Sequence, residues 1–180
     1  AAAICLPANF DLAALPVNDS KKLSEKRRDA LFDQLVALPH GIGSASVEEI
    51  DKLNILQATY LAIHRAVDGL AAAMGAPHHV LVDGNRLPDW PYTASLLIGG
   101  DGLSASIAAA SILAKVTRDR EMQRLDAAYP GYGWASNKGY GAKAHQIGLA
   151  ENGVTPHHRR SYAPIKKILE TDISTPKNSQ

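Results

Sequence analysis

The sequence predicts a mixed α/β domain. Three observations carry that prediction. Short apolar strand patterns alternate with segments whose apolar residues recur at three and four. The helical segments carry their own start and stop signals. Two of the strand patterns, residues 79–82 and 94–98, run into Asp83-Gly84 and Gly99-Gly100-Asp101, so both deliver an aspartate at their carboxyl ends. At 180 residues the chain is long enough for one domain with a substantial core and short for two, so a single domain over residues 1–170 is expected.

The elements follow in order. Ala1-Ala2-Ala3-Ile4-Cys5-Leu6 has no polar lead-in and reads as the interior of a strand, with a segment upstream expected to be absent. Asn18-Asp19-Ser20 is a loop signal. Ser24 is a good N-cap with Glu25 in the first turn, ahead of Leu31, Leu35 and Leu38 at helical spacing. After a turn at Pro39 to Gly41 comes a strand candidate, Ile42 to Ala45, and then Ser46-Val47-Glu48-Glu49, which matches a capping box. From Asn54, the residues Ile55, Leu56, Ala58, Leu61, Ala62, Ala66, Val67 and Leu70 mark the longest helix, stopped by Gly75 and Pro77. The two aspartate-ended strands come next. Residues 106–128 predict a helix ended by Tyr129-Pro130-Gly131. A glycine-aromatic loop, Gly131 to Gly141, leads into a helix that stops near Asn152-Gly153. Pro164 to Leu169 forms a last short helix, and residues 171–180, rich in Ser, Thr, Pro and Asn, read as a disordered tail.

Composition narrows the function classes. No apolar run approaches the roughly 20 residues that span a bilayer, which excludes a helical membrane span. A lone cysteine, Cys5, cannot form an internal disulfide, and no Cys/His cluster suggests zinc, so a reducing cytosol fits best. The net charge is only +1, yet residues 115–167 hold ten basic residues against four acidic ones, and Lys21, Lys22, Lys26, Arg27 and Arg28 form a second basic cluster. Such concentrations suit a polyanion if folding gathers them on one face; by composition alone solvated helix faces are the better explanation.

An isolated Asp-Gly is most cheaply explained as a turn, and Asp101 beside a helix start as a favourable partner of the helix dipole. The pairing changes the weight. Neighbouring strand ends can place Asp83 and Asp101 on one divalent cation, the donor chemistry of a metal-assisted phosphodiester hydrolase.

Several motifs then resemble, in order, those of ribonuclease HII. They are residues 19–24 (Asp-Ser-Lys-Lys-Leu-Ser), 82–86 (Val-Asp-Gly-Asn-Arg), 100–101 (Gly-Asp), 107–119, 137–141 (Asn-Lys-Gly-Tyr-Gly) and 157–161 (His-His-Arg-Arg-Ser). The likeness runs from residue 1 to about 169. It implies an RNase H-like fold, with a mixed central sheet flanked by helices and a carboxyl-terminal helical region. It implies an endonuclease that uses Mg²⁺ or Mn²⁺ to cut RNA in RNA/DNA hybrids, or 5′ of ribonucleotides embedded in duplex DNA, leaving a 5′-phosphate and a 3′-hydroxyl.

The family site has four carboxylates, of which Asp83 and Asp101 match two. The other two come from an Asp-Glu-x-Gly-Arg-Gly motif that has no counterpart in these 180 residues. Impaired or absent cleavage by this chain is therefore expected, and a non-catalytic hybrid-binding module is the alternative.

The resemblance also assigns nucleic-acid contacts. Lys21 is placed near the backbone, and Lys138 and Tyr140 in the element whose tyrosine packs on the deoxyribose after the ribonucleotide. Arg159 and Arg160 are open between phosphate contacts and braces for the carboxyl-terminal helix. His157 and His158 are expected to be hydrogen-bonded loop histidines, and Lys115, Arg118 and Asp119 structural ion-pair partners. Three positions depart from the family pattern: Gly99 stands where lysine is frequent, Ala142 where threonine is, and Asn137 where histidine is. The related ribonuclease HIII is a second enzyme alternative, and nothing here resembles its extra amino-terminal domain.

Overall fold

A computed structural model describes residues 1–174, with side chains as far as Thr171. The element order is β1 (Ala2–Ile4), α1 (Glu25–Leu35), β2 (His40–Ile42), α2 (Val47–Leu53), α3 (Ile55–Met74), β3 (Val80–Asp83), β4 (Ala94–Leu97), a 3₁₀ turn at Gly100–Gly102, α4 (Ala105–Ala128), α5 (Trp134–Asn137), α6 (Lys143–Asn152) and α7 (Ala163–Ser174). This is the mixed α/β class that the alternation predicts. The chain clusters into two compact units, one made of Ala1–Ala45 with Leu56–Arg118, the other of Ser46–Ile55 with the chain from Asp119 onward.

In the first unit β1 pairs antiparallel with β2, Ala2 opposite Ile42 and Ile4 opposite His40. β3 pairs in parallel with β4, from Val80 opposite Ala94 to Asp83 opposite Leu97. The expected central sheet is thus present as two two-stranded ladders, and no strand among the described residues bridges them. Its core joins Ile4, Leu31, Leu35, Ala109, Ile112, Leu113 and Val116, so the alanine-rich first half of α4 packs with α1 and β1. α1 starts where the sequence places it, with the Ser24 hydroxyl accepting from the Arg27 amide at 3.3 Å.

β2 lies two residues upstream of the expected Ile42–Ala45. The Gly43 amide still donates to the Ala1 carbonyl at 3.0 Å, but the Ser44 carbonyl is taken by the Arg65 guanidinium at 2.7 Å, so the chain has left the ladder there. α3 lies directly on this strand. A Cβ added at Gly43 would collide with the Ala62 carbonyl and stand 2.6 Å from the Ala66 amide nitrogen; one added at Gly41 would collide with the Ala66 carbonyl. Glycine is required at both positions by this close approach rather than by a turn. The ladder β3–β4 is less well covered, with Leu81 43%, Leu96 37% and, just beyond the strand, Ile98 77% exposed.

The second unit has its own core of Met122, Leu125, Tyr132, Trp134, Leu149 and Ile165. α2 begins in the expected capping box, the Ser46 hydroxyl and the Glu49 side chain each bonded to the other residue's amide. α7 is longer than the segment 164–169. Thr171–Ser174 continue it where a tail was expected, and residues 175–180 lie outside the described residues.

Candidate metal and nucleic-acid site

Asp83 is the last ladder residue of β3, and the Gly84 amide carries the pairing one step further to the Leu97 carbonyl at 3.1 Å. β4 ends at Leu97, and two residues on Gly99, with a φ of 67°, turns the chain into the 3₁₀ turn. The next residue, Gly100, is buried, with the Ile107 side chain 2.5 Å from where a Cβ would stand. Packing and turn together aim the Gly100 amide at β3, and it donates to Asp83 Oδ1 at 2.9 Å. Asp83 therefore bonds the backbone immediately before Asp101. The two aspartates sit at adjacent ends of parallel strands, Asp83 exposed and Asp101 half-buried.

This donor chemistry suits a hard divalent cation, which takes carboxylate oxygens. The pair is short of a full set: among the described residues no group of three or more His, Cys, Asp or Glu could hold a metal ion. The chemistry of Asp83 and Asp101 fits two of the ligands of such a site.

The ribonuclease HII family model matches residues 1–165. The chain belongs to the ribonuclease HII family. A ribonuclease HII of Shewanella sp. (strain ANA-3) is 57% identical over 176 residues, covering 94% of this chain and 82% of that protein. The ribonuclease HII of Shewanella amazonensis is 53% identical over 173 residues, covering 95% and 82%. Among solved structures, the ribonuclease H2 of Pyrococcus horikoshii OT3 superposes with a TM-score of 0.72 at 24% identity, over 91% of this chain and 85% of that one. Bst-RNase HIII in complex with Mn²⁺ gives a TM-score of 0.60 at 20% identity, over 89% and 59%. These two likenesses establish the RNase H-like fold, and the family makes this chain an RNase H type endoribonuclease that acts on RNA/DNA.

The other predicted residues of this ribonuclease HII chain fall in separate places. Lys21 is exposed in the loop before α1, its amide donating to Asp19 Oδ1 at 2.9 Å in an Asx turn. Lys138 and Tyr140 share one tight loop in the second unit. Lys138 has a left-handed φ of 53° and folds its ammonium back onto the Ala135 carbonyl at 2.6 Å. In this conformation it braces the loop rather than reaching outward. Tyr140 is 74% exposed.

Arg159 stacks its guanidinium 3.8 Å from the Tyr162 ring centroid. Arg160 has an exposed side chain, while its amide, with the Ser161 amide and hydroxyl, is held by the Asp51 carboxylate. Partial burial raises the Asp51 carboxyl, but the bonds from the Ser161 hydroxyl and the two amides outweigh it and hold the group below its ordinary value. Asp51 thus anchors the segment leading into α7 through its backbone. Sequence reasoning offered no signal for that role.

Sequence reasoning also missed a buried polar chain beneath the Tyr140 loop. Asn137 closes that loop, its amide donating to the Tyr132 carbonyl at 2.7 Å and its Oδ1 accepting from the Gly139 amide at 2.8 Å. His145 and His158 are buried with Nε2 atoms 3.0 Å apart. His157 points outward and meets Tyr129 edge-on at 5.0 Å between centroids. Ala142 is the N-cap of α6 and leaves it without a side-chain cap, where threonine would supply one.

Burial and the neighbouring His145 lower the His158 pKa to about 4. In the unfolded chain the same imidazole takes a proton near pH 6.5, so the unfolded state binds protons first on acidification. The stabilisation is full above that value and is lost as pH falls from 6.5 towards 4. The melting temperature, read from Trp134 fluorescence in a Trp90→Phe background, is expected to drop between pH 7 and pH 4.5. His158→Gln should flatten that drop, and an unchanged slope would show that another group carries it.

Proposed function

We propose that this protein hydrolyses the phosphodiester on the 5′ side of a ribonucleotide, embedded in duplex DNA or within an RNA/DNA hybrid, using Mg²⁺ or Mn²⁺. The observation that carries the proposal is the bond from the Gly100 amide to Asp83, which ties the turn that holds Asp101 to the carboxyl-terminal end of β3. A divalent ion held there would supply positive charge for attack on phosphorus and for the leaving oxygen. The chain's own part is to hold two carboxylates in place before the ion arrives. Lys21 and Arg160, both exposed, would neutralise phosphates, and Tyr140 would rest on the deoxyribose at the junction, where the missing 2′-hydroxyl distinguishes DNA from RNA. We assign Lys138 and Arg159 to nucleic-acid contacts as well, with bracing as their resting arrangement. A cytosolic location belongs to the same reading, in keeping with the free Cys5.

A second reading, a hybrid-binding module that does not cleave, is favoured by the small number of ligands among the described residues. One assay on a duplex carrying a single ribonucleotide separates the two. Binding is expected to weaken with salt by about 0.9 log units per phosphate neutralised for each log unit of salt. Nicking by the 180-residue polypeptide with Mn²⁺ is expected to be slow. Nicking that disappears in Asp83→Asn supports the enzyme, binding alone supports the module, and salt-independent or absent binding rejects both.

A further inference from the structure

The Tyr140 carbonyl is fixed by two donors, the Ala142 amide at 2.8 Å and His145 Nδ1 at 3.0 Å. A carbonyl only accepts, so His145 carries its proton on Nδ1 and, when neutral, a lone pair on Nε2. That lone pair faces Trp134 Nε1, a donor, at 3.4 Å and His158 Nε2 at 3.0 Å. Two imidazole nitrogens at this distance bond only if one bears hydrogen, which assigns the proton to His158 Nε2. His158 Nδ1 is then an acceptor. It has the Thr155 amide at 3.0 Å and the Thr155 hydroxyl at 2.9 Å.

Each assignment follows from a group that can play one role only, and all agree on a single polarity running from Thr155 through His158 and His145 to the Tyr140 carbonyl. Thr155, His158, His145 and Trp134 are 9%, 5%, 8% and 2% exposed. A buried chain in which every member is satisfied holds its parts rigidly.

We infer that His145 and His158 are positioning residues that fix the Tyr140 loop through its backbone and so set the orientation in which the exposed ring meets a sugar. The inference rests on the proposed contact of Tyr140 with the deoxyribose at an RNA-to-DNA junction. The dyad touches no substrate. It acts by sparing Tyr140 the search among loop conformations that binding would otherwise have to restrict.

The test uses the whole 180-residue chain in Ca²⁺. It compares the affinity for a DNA duplex with one embedded ribonucleotide with that for the same duplex made only of DNA. Tyr140→Ala is expected to bring the ratio close to unity. His145→Gln, which removes the donor at the Nδ1 position, is expected to lower the ratio roughly tenfold, the scale of one hydrogen bond. His145→Asn places an amide N–H near that position and is expected to keep the ratio within about threefold of the unaltered chain. Long-range ¹H–¹⁵N spectra of the unaltered protein should show His145 protonated on Nδ1 and His158 on Nε2.

If Tyr140→Ala keeps the ratio, the junction reading fails and this inference with it. If Tyr140→Ala loses the ratio while folded His145→Gln retains it, the inference alone fails. Should His145→Gln not fold, the tautomers and His145→Asn decide: the opposite tautomers, or a folded Asn variant without discrimination, overturn it.

Discussion

Supplying an Asp-Glu-x-Gly-Arg-Gly strand in cis with these residues is expected to raise Mn²⁺-dependent nicking at an embedded ribonucleotide on the order of 10³-fold over the 180 residues alone, a barrier lower by about 4 kcal/mol. The reason is the number of ligands. Asp83 closes the β3–β4 ladder and Asp101 lies in the turn just beyond it, and among the described residues no group of three His, Cys, Asp or Glu could hold a metal ion. A clamp on both the attacking and the leaving oxygen needs ions held about 4 Å apart, and two carboxylates leave most of each coordination sphere to water.

Asp83→Asn in the extended protein should return the rate to background. It tests charge rather than fold, because an asparagine oxygen can still accept the Gly100 amide that Asp83 accepts at 2.9 Å. An unextended chain that already nicks at the rate of the extended one would sink this reading.

Gly43→Ala is expected to cost about 3 kcal/mol or more in urea denaturation, with Gly41→Ala close behind, since overpacking at a backbone contact cannot be relieved by a rotamer. The added Cβ meets the Ala62 carbonyl and the Ala66 amide nitrogen of α3, which are main-chain atoms in a helix interior. α3 would have to lift away from β2. Gly69→Ala is the control on the facing helix, where the new Cβ stands 3.4 Å from Gly41 Cα, an ordinary contact. There the gain in helix propensity, about 0.8–1 kcal/mol, should leave stability unchanged or raised. Equal losses at Gly43 and Gly69 would show that the close approach is not what glycine serves.

What could be read before folding divides by how local the physics is. Ser24 and the Ser46/Glu49 box cap helices through bonds three residues long, so sequence spacing alone locates them. Asp83 and Asp101 were legible as a pair because both strands stop at glycine beside aspartate. Gly41 read as a turn residue and Gly43 as part of a strand, and neither showed the close approach, because what they meet lies on a helix some twenty residues away. His145 and His158 are thirteen residues apart on different segments, and only the fold makes one the hydrogen-bond partner of the other. Arg160 drew attention for its charge, whereas the structure uses its amide. Spacing reveals local patterns and is silent on backbone groups that bond partners far along the chain.

The ladder that seats Asp83 has a second consequence. A ribbon of two parallel strands cannot hide both its faces and both its edges, and Ile98 and Leu103, at 77% and 73% exposure, flank the acidic end of this one. Extended chains adhere to such ribbons by adding to the open edge. The adhesiveness of this ribbon and the placement of Asp83 and Asp101 are thus written in the same few residues, and a substitution that makes the ribbon less adhesive also acts on the seat of Asp83.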